Sequence, residues 1–222
     1  MDQCIYSTGD GSDTLYVPVL DEYYHSAKGA LNESLHVFIN TGFRSFSEFN
    51  NLNILEVGFG TGLNCVLTLL ESKKHAARVL YDTLEPYPLD RDLVLKLNYG
   101  SIINNKNIEQ WLKMLHDAEQ NKWLFLNGLF SFRKRKCKIQ DVELQDNYYD
   151  LVYYDAFGPR AQPNMWNVEN FRKIYISMNN GGVLVTYCAK GQVRRDMQKA
   201  GFMVERLPGA PGKREMLKAV KK

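Results

Sequence analysis

An acidic residue and three glycines stand at alternate positions in the segment ILEVGFGTGLN, residues 54–64. They are Glu56, Gly58, Gly60 and Gly62. An apolar run precedes them and a segment with helical spacing comes after them, which is the context in which a glycine-rich turn binds a nucleotide-like ligand. Glycine lets the backbone approach a ligand closely, and the first amides of the next helix are free to bind it. The pattern therefore predicts a nucleotide site at the start of that helix.

The acidic residue indicates which ligand this turn binds, because NAD-dependent enzymes use a similar glycine run. Glu56 lies two residues before the first glycine, where a carboxylate can receive the ammonium end of an amino-acid ligand through charge-assisted hydrogen bonds. This favours S-adenosylmethionine. Glu85 closes the next predicted strand, where an acidic residue accepts hydrogen bonds from ribose hydroxyls in both kinds of site. The alternative for Glu85 is a surface carboxylate before Pro86.

A second group of reactive residues lies in DAFGPRAQPNMW, residues 155–166. The loop follows a predicted strand and combines one acid, Asp155, with the aromatic residues Phe157 and Trp166 and with prolines that include Pro159. In an open α/β sheet, ligands bind at the carboxyl ends of the strands where the winding reverses. The loop is therefore a candidate catalytic site with Asp155 as its acid. The alternative is a stiff loop in which Asp155 caps the next helix.

Strand and helix patterns alternate after about residue 52, which predicts an α/β fold with helices on both faces of a parallel sheet. We expect a doubly wound, seven-stranded sheet with an N-terminal extension. A helix is expected over 64–74, helical structure over most of 89–123, and another helix from 165 to a stop signal at 179–182. A last helix is expected to end at Gly201. The predicted strands are 53–59, 78–86, 136–144, 148–157, 182–189, 202–209 and 214–220.

The first fifty residues differ from the rest, with a polar and aromatic stretch at 21–26 and an amphipathic, helical pattern at 31–38. No Pro- or Ser-rich linker separates them from the rest of the chain. We therefore expect one domain over 1–222, with a cap region at 1–50 and a Rossmann-like core at 51–222.

Composition excludes several classes of protein. With 222 residues, 45% hydrophobic and 24% charged, the chain is typical of a soluble globular domain. It contains neither a membrane-spanning apolar run nor a signal-peptide pattern, so we expect a cytoplasmic protein without membrane contact. The cysteines and histidines show no metal-ligand spacing, and we expect no metal. They are Cys4, Cys65, Cys137, Cys188, His25, His36, His75 and His116.

The end of the chain is strongly basic, with ten Lys or Arg against three Asp or Glu from residue 190 onward. Clustered cations favour a polyanionic partner such as nucleic acid, and the alternative is a solvated basic face. Lys213 and Arg214 follow a glycine-proline turn at the start of a predicted strand, so they are candidate phosphate contacts. Arg194 and Arg195 are weaker candidates, because a solvated helix face explains them equally well.

Taken in order, these motifs resemble the methyltransferase domain of the bacterial enzymes that make 5-methylaminomethyl-2-thiouridine at the tRNA wobble position. The resemblance spans nearly the whole chain. It is carried by YYHSAKGALNESLHVFI, GFGTGLN, DAFGPRAQPNMW and GGVLVTYCAKGQVRRDMQKAGFMVERLPGAPGKREML. Each segment is moderately specific by itself, and the set in this order is highly specific.

The resemblance implies transfer of a methyl group from S-adenosylmethionine to the primary amine of 5-aminomethyl-2-thiouridine. Asp155 would then orient the amine and receive its proton. Phe157, Pro159 and Trp166 would bind the substrate, with the aromatic rings walling a base flipped out of the tRNA. The resemblance also places a carboxylate near the adenine of the cofactor, which we assign to Asp141.

Several alternatives remain open on the sequence alone. Glu143 and Asp146 lie close to Asp141 and compete for the adenine contact. The resemblance implies an FAD-dependent oxidase half in the bifunctional members, and this chain ends at Lys222, so we expect a stand-alone methylase with a separate oxidase as a candidate partner. A small-molecule or protein N-methyltransferase would share the fold. A module that docks RNA without catalysis is a third reading, which the intact Asp155 loop disfavours.

Overall fold

A mixed sheet of eight strands runs through the protein, and a computed structural model describes residues 3–46 and 51–222. A smaller sheet of three strands lies in the N-terminal extension. In chain order the strands are β1 (Cys4–Ser7), β2 (Asp13–Val17), β3 (Glu22–Tyr23), β4 (Asn51–Val57), β5 (Arg78–Leu84), β6 (Trp123–Phe125), β7 (Phe130–Arg135), β8 (Tyr149–Tyr154), β9 (Met178–Thr186), β10 (Met203–Pro208) and β11 (Glu215–Val220).

The large sheet has the order β10-β11-β9-β8-β4-β5-β7-β6. Its five central strands are parallel, whereas β6, β10 and β11 pair antiparallel with their neighbours. The chain moves outward from β4 through β5 to β7 and then returns to β8 on the other side of β4. The winding therefore reverses between β4 and β8, which opens a crevice at their carboxyl ends. The predicted α/β, doubly wound class is confirmed.

The two central strands are covered on both faces, as expected for a parallel sheet between layers of helices. Alternate residues of β4 and β8 enter two separate apolar clusters. Ile54 and Tyr153 pack in one cluster, and their chain neighbours Leu55 and Val152 pack in the other. The core thus holds β4 and β8 rigidly, and the loops that leave them are positioned by it.

Seven α-helices lie within the described parts of the chain. The left-handed residue Gly201, with φ of 116°, ends the last of them, as the sequence predicts. The predicted helix at 31–38 is also confirmed, as an α-helix that continues into a π-helical turn over Leu35–Asn40. The α-helices are α1 (Ala30–Ser34), α2 (Leu63–His75), α3 (Arg91–Val94), α4 (Tyr99–Ile102), α5 (Ile108–Asp117), α6 (Val168–Ser177) and α7 (Gly191–Ala200).

The N-terminal extension packs onto the same core as the large sheet. Leu15 of β2 and Phe38 of the π-helical turn are both buried in one of the two apolar clusters. The ring of Phe38 lies 5.2 Å from that of Tyr153 on β8. Residues 1–2 and 47–50 of the predicted cap region lie outside the described residues.

The third strand of the core differs from the prediction. It is β7, and residues 136–144 instead form a turn and a loop. The sequence FSFRKR is not predicted as a strand because three of its six residues are positively charged. Arg133 and Arg135 are compensated by one buried carboxylate on the neighbouring strand, Asp82, at 2.7 Å and 2.6 Å. The short antiparallel β6 raises the number of strands in the sheet to eight, one more than predicted.

The end of α6 also differs from the prediction. The helix stops at Ser177, and the predicted stop signal at 179–182 already belongs to β9. Contacts with neighbouring segments explain the difference. The Asn179 amide donates to Asp150 at 2.7 Å, and the Gly181 N–H donates to the carbonyl of Lys221 at 2.8 Å. These partners are distant in sequence, so local helix-ending rules miss them.

Candidate active site

A cleft of about 920 Å³ opens at the carboxyl ends of β4, β5, β7 and β8. Its volume lies within the range of about 300–1,000 Å³ that is common for ligand sites. The structure brings six of the predicted site residues together on its walls. They are Gly58, Gly60, Glu85, Asp141, Asp155 and Phe157.

The glycine turn adopts backbone conformations that favour glycine. Gly58, Gly60 and Gly62 have φ of 96°, 51° and 82°. A Cβ on Gly58 would lie 2.6 Å from the carbonyl oxygen of Asp155, and one on Gly60 would lie 3.0 Å from the ring of Tyr24. Gly58 is therefore required by the close approach of the Asp155 backbone, and not only by the ligand that the sequence pattern predicts there. Gly62 forms the start of α2 and does not line the cleft.

Glu56 lies below the cleft and not on its surface. The residue is fully buried, and it accepts hydrogen bonds from Asn64 at 3.3 Å and from Thr83 at 3.0 Å. Burial raises the pKa of Glu56 well above its usual range, and the neighbouring Asp155 raises it further. The contact between Glu56 and the ammonium end of the ligand therefore stays a prediction, because Glu56 does not line the cleft in this structure. Its link to the cleft runs through Asn64.

Asn64 is a site residue that the sequence patterns did not reveal. It lies in the first turn of α2, and its side-chain amide donates to Asp155 at 2.8 Å as well as to Glu56. Its side-chain oxygen is buried and has no hydrogen-bond partner among the described residues. The local signal is an amide residue in the first turn of the helix that follows the glycines.

Glu85 lies where a ribose-binding carboxylate is expected, directly after β5. Its two oxygens accept hydrogen bonds from the backbone N–H groups of Gly60 at 3.1 Å and Tyr87 at 2.8 Å. Burial raises the pKa of Glu85, although these backbone donors oppose the shift. A carboxylate has about four acceptor positions, so the group can still receive a ligand hydroxyl beside its backbone donors.

Asp141 lies in the turn that follows β7, and this turn forms another wall of the cleft. The competing residues Glu143 and Asp146 do not line it. Lys173 on α6, which no sequence pattern singled out, holds the turn in shape. Its ammonium donates to the carbonyls of Ile139, Gln140 and Val142 at 2.8, 2.6 and 3.1 Å.

Asp155 directly follows β8, at the point where the sheet reverses. Its pKa is raised to about 7, first by burial and then by the negative charge of Glu33. The hydrogen bond from Asn64 and the positive charge of Lys213 partly offset that shift. The carboxyl therefore changes its protonation state close to neutral pH, which suits a group that accepts a proton.

The aromatic residues of the loop have different positions. Phe157 lines the cleft and packs edge-on against Tyr24, with ring centroids 4.9 Å apart. Trp166 is instead buried against Tyr154, and its indole N–H donates to the carbonyl of Phe157 at 2.7 Å. Neither Trp166 nor Pro159 lines the cleft. Trp166 thus lies in a supporting position behind Phe157, and its contact with the substrate stays a prediction.

The predicted phosphate contacts separate into two kinds. Arg214 is exposed. Lys213 turns inward, where its ammonium pairs with Glu33 and lies 3.8 Å from the ring centroid of Tyr187. The expectation that Lys213 faces a phosphate is therefore not supported by its contacts. On α7, the guanidinium of Arg195 donates to Gln192 at 2.8 Å.

Neither a membrane span nor a metal centre is found within residues 3–46 and 51–222. No helix there is long and apolar enough to cross a membrane. No group of three or more His, Cys, Asp or Glu side chains in these ranges could hold a metal ion.

Comparisons with known proteins point to the same chemistry as the site. A family model described as S-adenosyl-L-methionine-dependent methyltransferase matches residues 101–222. A tRNA 5-methylaminomethyl-2-thiouridine biosynthesis bifunctional protein from Cupriavidus metallidurans is 31% identical over 91% of this chain. A protein of the same name from Leptospira interrogans is 29% identical over 89% of this chain. The chain spans only 32% of the length of each of these relatives.

A solved structure is also similar, that of MnmC2 from Aquifex aeolicus. Its TM-score is 0.78 at 26% sequence identity, and the similarity covers 100% of this chain and 71% of that one. The shared fold therefore includes the N-terminal extension as well as the large sheet.

A doubly wound sheet with a glycine turn after β4 and a carboxylate after β5 is typical of the nucleotide-binding α/β folds, which include the class I methyltransferases. The chain belongs to the family of S-adenosyl-L-methionine-dependent methyltransferases, whose model matches more than half of its length. That match begins downstream of residues 54–64, so it supports the assignment independently of the glycine turn. The predicted cofactor, S-adenosylmethionine, is confirmed.

Proposed function

We propose that this chain methylates the primary amine of 5-aminomethyl-2-thiouridine at the wobble position of tRNA. Relatives named for 5-methylaminomethyl-2-thiouridine biosynthesis support the proposal, because they match about nine-tenths of the chain. The observation that carries it is Asp155, a carboxyl on the cleft wall whose pKa is raised to about 7, mainly by burial. Such a group can accept the proton that an amine loses when it is alkylated.

The residues of the cleft fit S-adenosylmethionine. Glu85 would hold the ribose hydroxyls, and Asp141 would lie toward the adenine. The orphaned side-chain oxygen of Asn64 is a buried acceptor beside the glycine turn, and an ammonium group would satisfy it. When bound, the cofactor supplies a methyl carbon whose bond to a positively charged sulfur breaks as its bond to the amine nitrogen forms, which leaves a neutral sulfur and one proton to remove.

The protein's own contribution is orientation and proton transfer. Asp155 would accept a hydrogen bond from the amine and thereby direct the nitrogen lone pair. Its carboxylate would then take the proton that leaves the nitrogen. Asn64 keeps the carboxylate in place through its 2.8 Å hydrogen bond, and the same amide also binds Glu56 beneath the cleft.

An unstacked base would lie against the aromatic wall. Phe157 and Tyr24 together present ring surface to the cleft, and aromatic faces of this kind bind bases removed from a stack. Pro159 and Trp166 would support this wall from behind. Arg214 is exposed directly before β11 and would contact a phosphate.

We also propose that residues 1–222 act as one domain, with 1–50 as the cap and 51–222 as the core. Tyr24 and Glu33 of the cap lie beside the Asp155 loop, which supports including the cap in the substrate site. The proposal assigns methyl transfer to this chain, in the cytoplasm. Formation of the free amine belongs to an oxidase, as a further domain or as a separate partner.

The test uses tRNA purified from a strain that lacks the methylase and therefore accumulates the free amine. The expected result is loss of 5-aminomethyl-2-thiouridine and gain of its N-methyl form, measured by mass analysis of nucleosides. Small primary amines and bulk protein serve as parallel substrates. Methylation of either of these, with no change in the tRNA, would assign the chain to the small-molecule or protein N-methyltransferases instead.

A further inference from the structure

Lys213 is partly exposed, with 31% of its side chain accessible, but its ammonium is held against the protein. Its ammonium pairs with Glu33, whose side chain is only 5% exposed. It also lies 3.8 Å from the ring centroid of Tyr187. An anion and an aromatic face are both attractive to a cation, and attraction to the ring strengthens when water is excluded. The ammonium is therefore held between a buried carboxylate and an aromatic ring.

Tyr187 connects Lys213 to the catalytic loop. Its hydroxyl donates a hydrogen bond of 2.9 Å to the carbonyl of Ala156, the residue that follows Asp155. Burial raises the pKa of Tyr187 well above its usual range, so the hydroxyl stays neutral and remains a donor. The same ring lines the cleft. A displacement of Lys213 would therefore move the ring of Tyr187, and through the Tyr187 hydrogen bond it would shift the backbone next to Asp155.

The charges around Asp155 come from several separate segments. Glu33 and Lys213 act on it with opposite sign, since the first disfavours its ionised form and the second favours it. The buried Glu56 is also electrostatically close to Asp155. The groups that face Asp155 are Glu56 on β4, Asn64 on α2, Glu33 on α1, Tyr187 after β9 and Lys213 in the turn at 209–214.

We propose that Lys213 is a positioning residue for Asp155. With Glu33 it sets the balance of charge around the carboxyl, and through Tyr187 it fixes the backbone beside it. The inference rests on the proposed catalytic role of Asp155 and extends it to the cap and the C-terminal turn. Lys213 therefore serves the chemical step, whereas the exposed Arg214 serves the contact with tRNA.

The first experiment compares Lys213→Met with Glu33→Gln in single-turnover methylation of tRNA across pH. The rate should fall on the acid side of the pH–rate profile as Asp155 gains its proton. In Lys213→Met the midpoint of this fall should move upward by about one pH unit, because ionised Asp155 loses a favourable positive neighbour. Loss of the negative charge should move it downward. The substrate amine is the same in every reaction, so a difference in midpoint belongs to the protein. Unmoved midpoints in both folded variants would overturn the proposal.

Two matched variants separate this role from a general effect of charge or folding. Lys213→Arg keeps the charge beside Glu33 and Tyr187 and should restore the wild-type midpoint. Lys199→Met removes an equal charge from α7, where Lys199 is 66% exposed, and should leave the midpoint unchanged. A shift in Lys199→Met as large as that in Lys213→Met would contradict the proposal. If Lys213→Met does not fold, Glu33→Gln and Lys213→Arg still decide the outcome.

A titration of the free protein tests the inference without any reaction. The side-chain carbon resonance of Asp155, labelled with ¹³C and identified by its absence in Asp155→Asn, should titrate higher in Lys213→Met and lower in Glu33→Gln. If wild-type protein made no product on tRNA, the proposed function would fail while this titration still gave an answer. Product formation combined with an unchanged Asp155 titration in both variants would instead refute the inference alone.

Discussion

The two sides of the cleft are built in different ways. The side that we propose for the cofactor comes from two adjacent strands, with the glycine turn after β4 and Glu85 after β5. The side that we propose for the substrate gathers Tyr24, Asp155 and Tyr187 from segments far apart in the chain. The first side is a local motif, which is recognisable in the sequence. The second side exists only once the cap, the fourth core strand and the C-terminal turn have packed together.

The two sides nevertheless meet at two points. The backbone of Asp155 passes so close to Gly58 that a Cβ there would lie 2.6 Å from the Asp155 oxygen. Asn64 also reaches from the start of α2 to the Asp155 carboxylate. A change at either point should affect both sides, whereas a change elsewhere should affect only one. Variants on each side and at the Gly58 contact test that distinction.

The largest expected effect is that of Asp155→Asn, which preserves the shape of the side chain and removes its charge. Single-turnover methylation should fall by about a hundredfold or more, the order expected when a positioned acid-base group is lost. Affinity for S-adenosylmethionine, measured by calorimetry, should change little, because the amide oxygen of the variant side chain can still accept the hydrogen bond from Asn64. Near wild-type turnover on tRNA carrying the free amine would remove Asp155 from the mechanism.

The same variant gives a prediction for pH dependence. The pKa of Asp155 is raised to about 7, so the carboxyl gains its proton as the pH falls through that value. The wild-type rate should therefore decline below about pH 7 by up to roughly tenfold per pH unit. In Asp155→Asn the part of this decline that is caused by protonation of Asp155 should be absent. Raising the pH should recover part of the activity, because the amine then loses its proton to solvent.

Gly58→Val should damage both sides of the cleft. The residue has φ of 96°, which a β-branched side chain rarely adopts, and its Cβ would collide with the Asp155 backbone. We expect the free energy of unfolding to fall by about 2–3 kcal/mol, with loss of cofactor affinity and of methylation. Denaturant unfolding and calorimetry would measure the two effects. Unchanged affinity in this variant would show that the turn has only a structural role.

Glu85→Ala should act on the cofactor side alone. Removal of the carboxylate should weaken S-adenosylmethionine binding by about ten- to a hundredfold, the value of a lost hydrogen bond to a charged group. The titration of Asp155 should not move. Glu143→Ala is a suitable control, since Glu143 is a nearby carboxylate that does not line the cleft. Equal losses of affinity in the two variants would exclude a specific contact from Glu85.

The smallest expected effect is that of Arg214→Ala. The residue is exposed, so its loss should weaken tRNA binding. The slope of the logarithm of the binding constant against the logarithm of the salt concentration should also become smaller by about one unit, for the one phosphate contact that is lost. Affinity for S-adenosylmethionine should stay at the wild-type level. Lys213→Ala should leave the salt slope unchanged, because its ammonium is paired with Glu33. A reduced slope in Lys213→Ala would return that residue to the phosphate contacts.

The predicted elements failed where charges are compensated across the fold. The strand FSFRKR carries three cations, and two of them pair with the buried Asp82 on β5. Lys173, which lies on α6, likewise holds the turn that contains Asp141 by donating to three of its backbone carbonyls. Such partners lie more than thirty residues away in the chain. Patterns within a short window cannot reveal them.

The sequence by itself determined the α/β class, the glycine turn, the acidic residue after the second core strand and the loop that carries Asp155. Each of these depends on residues that are neighbours along the chain, where backbone conformation and hydrophobic periodicity act directly. Only the tertiary structure decided that Glu56 is buried beneath the cleft, that Trp166 supports the loop from behind, and that Lys213 faces inward. Burial and pairing of a charged or aromatic group depend on what the rest of the chain brings next to it, and local patterns do not contain that information.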